Sequence, residues 1–273
     1  MDPLLDMLAG VALVAAQGAA TLLSHAFGGA RRDVSTKSSP TDMVSEVDEA
    51  AEAFVSATLS AGRPDDALLG EEGSSRTGTT GVRWVVDPLD GTTNFLFGIP
   101  AYAVSIAAEV DGEAVVGIVI DPSRGETWAA VRGGGARCNG YPCQIAIGRS
   151  RLSTALVGTG FGYRKERRAW QAELLAAVLP RVRDVRRSGS AALDLCWVAG
   201  GRLDAYYEWG LNPWDLAAGG LICQEAGAEV EILAGRTIVA AVPELMHPLV
   251  QLLSTAGALA VPEGPEPEMW AQA

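Results

Sequence analysis

Two aspartates three residues apart, Asp87 and Asp90, follow the apolar run Trp84-Val85-Val86 and precede Gly91-Thr92-Thr93. The apolar run reads as a strand and the Gly-Thr-Thr step as the opening of a helix. Carboxylate and carbonyl oxygens suit hard divalent cations such as Mg²⁺, whereas the N–H groups and positive end of a helix start suit a phosphate. Both requirements meet here, which points to phosphate chemistry. Pro88 cannot extend a ladder, so the pattern closes the strand at Asp87, leaves the Leu89 carbonyl without an obvious partner and opens the helix at Asp90. A structural cap needs only one of these oxygens, and neighbouring carboxylates repel unless a cation intervenes. Gly91 lets a phosphate approach the backbone closely, and Thr92 offers a hydroxyl at the helix start.

Two further acidic islands qualify: Gly70-Glu71-Glu72-Gly73 at a strand end, and Asn212-Pro213-Trp214-Asp215 at a helix start. Taken singly, each has a plainer explanation. Glu71 and Glu72 read as a solvated turn, Asp90 as a helix N-cap and Asp215 as an acid in a helix's first turn. The only two histidines, His25 and His247, lie near no nucleophile. Ser-His-Asp and Cys-His mechanisms and a His-rich zinc site are therefore disfavoured, and carboxylates must do the work.

Bulk properties narrow the class further. The net charge of −12 argues against a nucleic-acid binder held by a general basic surface. The local exceptions, Arg164 to Arg168 and Arg181 to Arg187, read as a solvated helix face and a loop. Cys138, Cys143, Cys196 and Cys223 show no CxxC spacing and read as reduced thiols of a cytoplasmic protein. The apolar stretch from Leu8 to Leu23 fails as a signal peptide or membrane span. Asp2 and Asp6 stand where basic residues belong, Arg31 and Arg32 follow the run, and Gln17 and Gly18 interrupt it. It reads instead as an amphipathic helix packed on the core.

The elements that must position these residues follow from patterning. After a loop over Lys37 to Asp42, Ser45 to Leu59 reads as a helix, and Ala67 to Leu69 and Val82 to Val86 as short buried strands. Tyr102 to Val110 and Ala114 to Ile120 are strands joined at Asp111-Gly112, and Asn139-Gly140 marks a second hairpin. The first half is thus rich in antiparallel sheet. From Leu152 the pattern alternates. Ala155 to Val157, Leu203 to Tyr207, Glu229 to Leu233 and Thr237 to Ala241 are strand-like. Glu166 to Leu179, Ala191 to Val198, Pro213 to Glu225 and a last segment are helical, which suggests an α/β second half. The Arg76 to Val82 loop is rich in Gly and Thr and reads as mobile. The tail from Val261 cannot build a core and reads as disordered.

Three motifs in this order, Gly70-Glu71-Glu72, Trp84 through Asp87-Pro-Leu-Asp90-Gly-Thr92 to Phe95, and Trp214-Asp215-Leu-Ala-Ala-Gly219, resemble those of the inositol monophosphatase family of magnesium-dependent, lithium-sensitive phosphatases. The segments Gly158 to Tyr163, Arg186 to Cys196 and Gly201 to Glu208 resemble its bacterial, especially actinobacterial, members. The resemblance runs from Lys37 to about Ala241. It implies the layered αβαβα sugar-phosphatase fold, α+β over residues 1–150 with most metal ligands, α/β over 151–260 completing the site, and a tail over 261–273. It implies two or three Mg²⁺ held by Glu71, Asp87, the Leu89 carbonyl, Asp90 and Asp215, with inhibition by Li⁺. It further implies that Thr92, Glu71 and Asp48 orient the attacking water. Substrate contacts would come from Asp90, Gly91, Thr92, Thr93, Gly189, Ser190, Ala191, Glu208 and Asp215, with Glu208 accepting from sugar hydroxyls unless it merely faces solvent at a strand end.

The implied substrate is a small phosphate ester, myo-inositol 1-phosphate or a related polyol or sugar phosphate, and the implied assembly is a homodimer with no membrane or nucleic-acid partner. Fructose-1,6-bisphosphate, histidinol phosphate and 3′-phosphoadenosine 5′-phosphate remain open as substrates. A non-catalytic dimeric scaffold contacting transcription or RNA machinery through the 164–187 basic segment is the rival reading.

Overall fold

The computed structural model describes residues 2–28, 34–36, 43–234 and 236–259, with 34–36 and 43–45 described by backbone alone. The loop expected over Lys37 to Asp42 and the tail from Val261 lie outside the described residues. In chain order the first elements are α1 (Pro3–Ala26), β1 (Val34–Thr36), β2 (Met43–Ser45), α2 (Glu46–Gly62), β3 (Ala67–Gly70), β4 (Ser75–Arg76), β5 (Val82–Asp90) and α3 (Thr92–Leu96). Then come β6 (Ala103–Val110), β7 (Glu113–Asp121), β8 (Glu126–Val131), β9 (Ala136–Cys138) and β10 (Tyr141–Pro142). The remainder is β11 (Leu156–Thr159), α4 (Lys165–Val178), β12 (Asp184–Arg186), α5 (Ala191–Ala199), β13 (Ala205–Trp209), α6 (Pro213–Glu225), β14 (Glu229–Ile232), β15 (Thr237–Ala241) and α7 (Pro243–Thr255).

Eight strands form a sheet in the order β10-β9-β8-β7-β6-β5-β3-β4, and β3 with β5 is its parallel pair. Asp111 and Asn139 adopt φ of 54° and 50°, followed by Gly112 and Gly140 at 80° and 82°. Left-handed conformations at both central residues are what a two-residue hairpin of type I′ requires. A second sheet has the order β12-β11-β13-β15-β14. The strand–helix alternation expected for the second half produces parallel pairs only among β12, β11 and β13. β14 and β15 run antiparallel because the connection between them is short enough only for a hairpin. β12 corrects the sequence reading of 181–187 as a loop.

Three apolar clusters separate five layers, giving the αβαβα arrangement. The first lies between α1, α2 and one face of the large sheet, the second packs α5 and α6 between the sheets, and the third lies under α4 and α7. α1 buries Leu8, Ala12, Ala15, Ala16, Ala19 and Leu23, a stripe recurring every three or four residues. By length and hydropathy α1 is the one helix among the described residues able to cross a membrane, and its apolar stripe packs on α2, β6 and β7. The Arg76–Val82 loop is fastened to the β3 approach, with Thr80 Oγ1 donating to Asp66 Oδ1 at 2.6 Å and Arg76 Nε to the Asp66 carbonyl at 3.0 Å.

Candidate active site

β5 is buried on both sides, and its end is where the chemistry gathers. Contrary to the sequence reading, it does not stop at Asp87. Pairing with β6 runs to Asp87↔Ser105, breaks, and resumes at Asp90↔Ala103, so three steps on β5 face two on β6. This is a bulge around Pro88, whose missing N–H leaves nothing to pair there. The Leu89 N–H turns back to Asp87 Oδ1 at 2.9 Å. The Leu89 carbonyl is not orphaned either, since Thr92 Oγ1 lies 3.1 Å from it. The Thr92 hydroxyl is also 3.0 Å from Asp48 Oδ1, and its single proton serves one acceptor at a time.

Asp90 is likewise not the cap of α3. Gly91 takes that place with φ of 93°, and a Cβ there would stand 3.0 Å from the Ala101 carbonyl and 3.2 Å from that of Gly189. Asp90 instead closes a helix 100 residues away: its Oδ2 accepts from Ser190 Oγ at 2.6 Å and from the Ala192 N–H at 2.7 Å. A carboxylate at the start of α5 satisfies donors that have no partner within that helix. The plain and the chemical readings of Asp215 coexist. It accepts from the Asn212 N–H at 2.7 Å in a capping box at the start of α6, and it lines the cleft described below.

Glu71 sits in the turn after β3. Sequence reasoning overlooked what holds that turn, namely Glu52, buried on α2, which accepts the N–H groups of Glu72 and Ser74, each at 2.7 Å. Asp48 and Glu52 are one helical turn apart on the face that also buries Ala51, Val55 and Leu59. Two acids within an apolar stripe were the available signal, because carboxylates are seldom fully buried without partners.

These parts face a single cleft of about 410 Å³. Glu71, Asp87, Leu89, Asp90, Gly91, Thr92 and Asp215 line it, together with Gly189, Ser190, Ala191 and Glu208. Asp48 stands behind Thr92, and Thr93 is half-buried on α3 outside the lining set. Neither histidine lines the cleft. Glu208 lies within β13, not at a strand end facing solvent, and Tyr206 donates to its Oε2 at 2.5 Å. A Cβ at Gly160 would stand 1.7 Å from the Glu208 carboxylate, which would then have to shift.

Sequence reading also missed Asp194, Arg164, Arg167 and Arg187, all of which line the cleft. The arginines were assigned to solvent, yet the Arg167 guanidinium lies 4.4 Å from the Trp209 ring centroid. Asn94 ties together two distant segments of the chain, its Nδ2 donating to the carbonyls of Ala101 at 2.7 Å and Ser188 at 2.8 Å.

Crowding of acids in a dry site raises their proton affinity. Burial, then the charges of Glu71, Asp90 and Asp215, push Asp87 well above the carboxylate range. Asp215 rises well above it for the same reasons, burial first and then Glu71 and Asp90. Burial lifts Asp90 to about 6 against the opposing hydrogen bonds from Ser190 and Ala192. It lifts Glu208 to about 7 and Asp194 well above its usual value.

Among the described residues no three acidic, histidine or cysteine side chains converge on one ion position, so the acids share a cleft but form no ready-made cage. Asp87 hydrogen-bonds Glu71, while Asp90 and Asp215 turn toward backbone donors. The donor chemistry nevertheless fits a hard divalent cation: all the donors are oxygen, and their mutual repulsion is what a divalent charge relieves.

Residues 4–261 match the inositol monophosphatase family. A relative from Mycobacterium tuberculosis, inositol-1-monophosphatase SuhB, is 50% identical over 234 residues, covering 81% of each chain. The Nus factor SuhB of Vibrio cholerae is 37% identical over 270 residues, 96% of this chain and 99% of that one. Among solved structures, the extragenic suppressor protein SuhB of Bartonella henselae superposes with a TM-score of 0.85 at 38% identity, covering 89% of this chain and 97% of its own. With the fold, the acid-lined cleft and these matches in agreement, the chain belongs to the inositol monophosphatase family.

Proposed function

We propose that this chain is a Mg²⁺-dependent phosphomonoesterase that releases phosphate from myo-inositol 1-phosphate and related polyol and sugar phosphates by direct attack of water. Family membership supports a phosphatase. The observation that carries the finer reading is the placement of four carboxylates, Glu71, Asp87, Asp90 and Asp215, in the same cleft as Glu208.

Phosphate monoester hydrolysis needs acceleration of up to ~10²¹-fold, beyond what one acid or base supplies. Glu71, Asp87, the Leu89 carbonyl, Asp90 and Asp215 would hold two or three Mg²⁺. Bound there, the ions supply a water of lowered pKa and neutralise charge on the phosphoryl group and the leaving oxygen. Thr92, when it donates to Asp48, keeps lone pairs with which to accept a hydrogen bond from that water and fix its approach. The backbone of Gly91 to Thr93 offers N–H groups to the phosphate. Gly189, Ser190 and Ala191 border the polyol, and the Glu208 carboxylate accepts from its hydroxyls, a contact that discriminates against ligands lacking them. No histidine lines the cleft and the Ser190 hydroxyl is committed to Asp90, which favours water over a phospho-enzyme. Inhibition by Li⁺ and a homodimer belong to the same reading.

The test is phosphate release across a panel of esters with Mg²⁺, with EDTA and with Li⁺. Mg²⁺-dependent turnover of inositol 1-phosphate is the expected result, and its absence across the panel removes the reading. The name of the Vibrio cholerae relative, Nus factor, favours a second role as a scaffold in transcription. A catalytically dead variant that retains the cellular phenotype would support it.

A further inference from the structure

Glu208 has a role in the phosphatase reading, but the residues that hold it have none. It stands on β13 two positions after Tyr206, so the two side chains project from the same face of that strand. β11 runs parallel beside it, with Gly158 opposite Tyr206 and Thr159 opposite Tyr207. On the face that meets Tyr206 and Glu208, β11 and the residue beyond it present Gly158 and Gly160. A Cβ at Gly158 would stand 3.1 Å from Tyr206 Cδ2 and 2.9 Å from Leu203 Cδ1, and one at Gly160 would fall within the Glu208 carboxylate. Glycines in a strand weaken it, and the close approach of another group is what calls for them. Here they form a slot in which a ring and a carboxylate lie side by side.

Tyr206 is fully buried, and its hydroxyl donates to Glu208 Oε2 at 2.5 Å. Burial first, then the charges of Glu208 and Asp194, push that hydroxyl well above its usual proton affinity, so it remains a donor. Among the described residues no donor reaches Glu208 Oε1, and Glu208 lines the cleft while Tyr206 stands behind it. A core that needed only filling would take phenylalanine at 206 and an alkyl side chain at 208, because withdrawing a carboxylate from water is costly. The pair therefore has one oxygen fastened and one left for a ligand.

We propose that Tyr206 is a positioning residue for the reaction: by fixing Glu208 Oε2 in the slot of Gly158 and Gly160 it presents Oε1 to a ligand hydroxyl, and so sets the preference for polyol esters over esters without hydroxyls. Tyr206 touches no ligand and acts through Glu208. A glutamate held beforehand loses less rotamer freedom when the ligand arrives, which strengthens binding without a new contact. The inference rests on the phosphatase reading and on its assignment of Glu208 to the polyol.

The experiment measures kcat/KM with saturating Mg²⁺ for myo-inositol 1-phosphate and for phenyl phosphate, and takes their ratio as the preference. The proteins are the wild-type chain, Tyr206→Phe, Glu208→Ala, the double variant and Gly160→Ala, each with its melting temperature. Tyr206→Phe should reduce the preference about fivefold, the worth of one hydrogen bond, with the loss in KM. Glu208→Ala leaves no carboxylate to hold, so adding Tyr206→Phe to it should lower the preference no further. Gly160→Ala keeps the tyrosine hydroxyl but displaces the carboxylate, and should reproduce the loss. Equal losses on both esters in Tyr206→Phe, as a merely loosened core would give, overturn the proposal. So does a Tyr206→Phe loss that multiplies with that of Glu208→Ala, or a wild-type preference in Gly160→Ala. If the wild-type chain hydrolyses inositol 1-phosphate and any of these results is found, the positioning role fails and the phosphatase reading stands. If it hydrolyses neither ester with Mg²⁺, both fail.

Discussion

Two groups of residues that line the cleft are made in different ways. The acidic set is built around one continuous stretch, Asp87 to Thr92, where a bulge, a left-handed glycine and a short helix place two carboxylates, a carbonyl and a hydroxyl within six residues. The other lining residues draw on the end of β11, the start of α4, the β12–α5 connection and β13, with Arg164 and Arg167 together at the start of α4 and Arg187 after β12. Groups that must hold an ion at fixed distances benefit from a short, rigid backbone segment. Groups that read the rest of a ligand can come from distant loops that a scaffold brings together. The acidic set should therefore be intolerant of change, and the other tunable.

The largest effect is expected at Asp90, which belongs to the acidic set and yet clasps the other through Ser190 and Ala192. Asp90→Asn should lower Mg²⁺-dependent turnover by about 10³-fold, at the upper end of what losing one preorganised electrostatic contact costs. Near-wild-type turnover in that variant, with an unchanged melting temperature, would remove the ligand assignment.

Glu52 tests whether the acidic set depends on support from behind. Removing one of its two acceptors in Glu52→Gln should weaken Mg²⁺ binding about 10- to 100-fold, as outer-shell changes do, and calorimetric titration reads this without turnover. At saturating Mg²⁺ the KM for ester should recover, which a merely loosened fold would not allow.

A smaller and more selective effect belongs to Glu208. Glu208→Gln should reduce kcat/KM for inositol 1-phosphate about tenfold more than for an aryl phosphate without hydroxyls. Equal losses would mean that Glu208 does not read the polyol.

The smallest effect is on stability. Asp87, Asp90, Asp194, Glu208 and Asp215 all have proton affinities raised by folding, so the folded chain keeps protons that the unfolded chain has released. The stability they confer is complete below the unfolded carboxylate values and is lost as pH climbs through about 6 for Asp90 and about 7 for Glu208. The melting temperature of metal-free protein should fall between about pH 5 and about pH 8, and Mg²⁺ should restore it at the higher pH. A flat profile in the absence of metal would mean that the acids are not crowded in solution.

Much of the architecture was legible along the chain because it rests on local rules. The two hairpins follow from Asp-Gly and Asn-Gly, and α6 was read with both of its ends correct from Pro213 and the capping acid Asp215. Errors clustered where a side chain's partner is far away. The plainer of the two readings of Asp90, a local cap, failed because nothing near it in sequence announces Ser190. Glu208 was put at a strand end because its strand, Ala205–Trp209, is completed by pairing with β15. The basic run 181–187 was read as solvated because β12 exists only through its pairing with β11.

The three motifs and their order were sufficient for the family, and local spacing was sufficient for the hairpins and most helices, because turn chemistry, proline's missing donor and apolar periodicity act over a few residues. They could not say that Asp90 fastens one half of the molecule to the other, that Glu52 holds the Glu71 turn, or that three arginines line the same cleft as the acids. Those contacts join positions 20 to 100 residues apart, and packing of layers, not propensity, chooses which distant side chains meet.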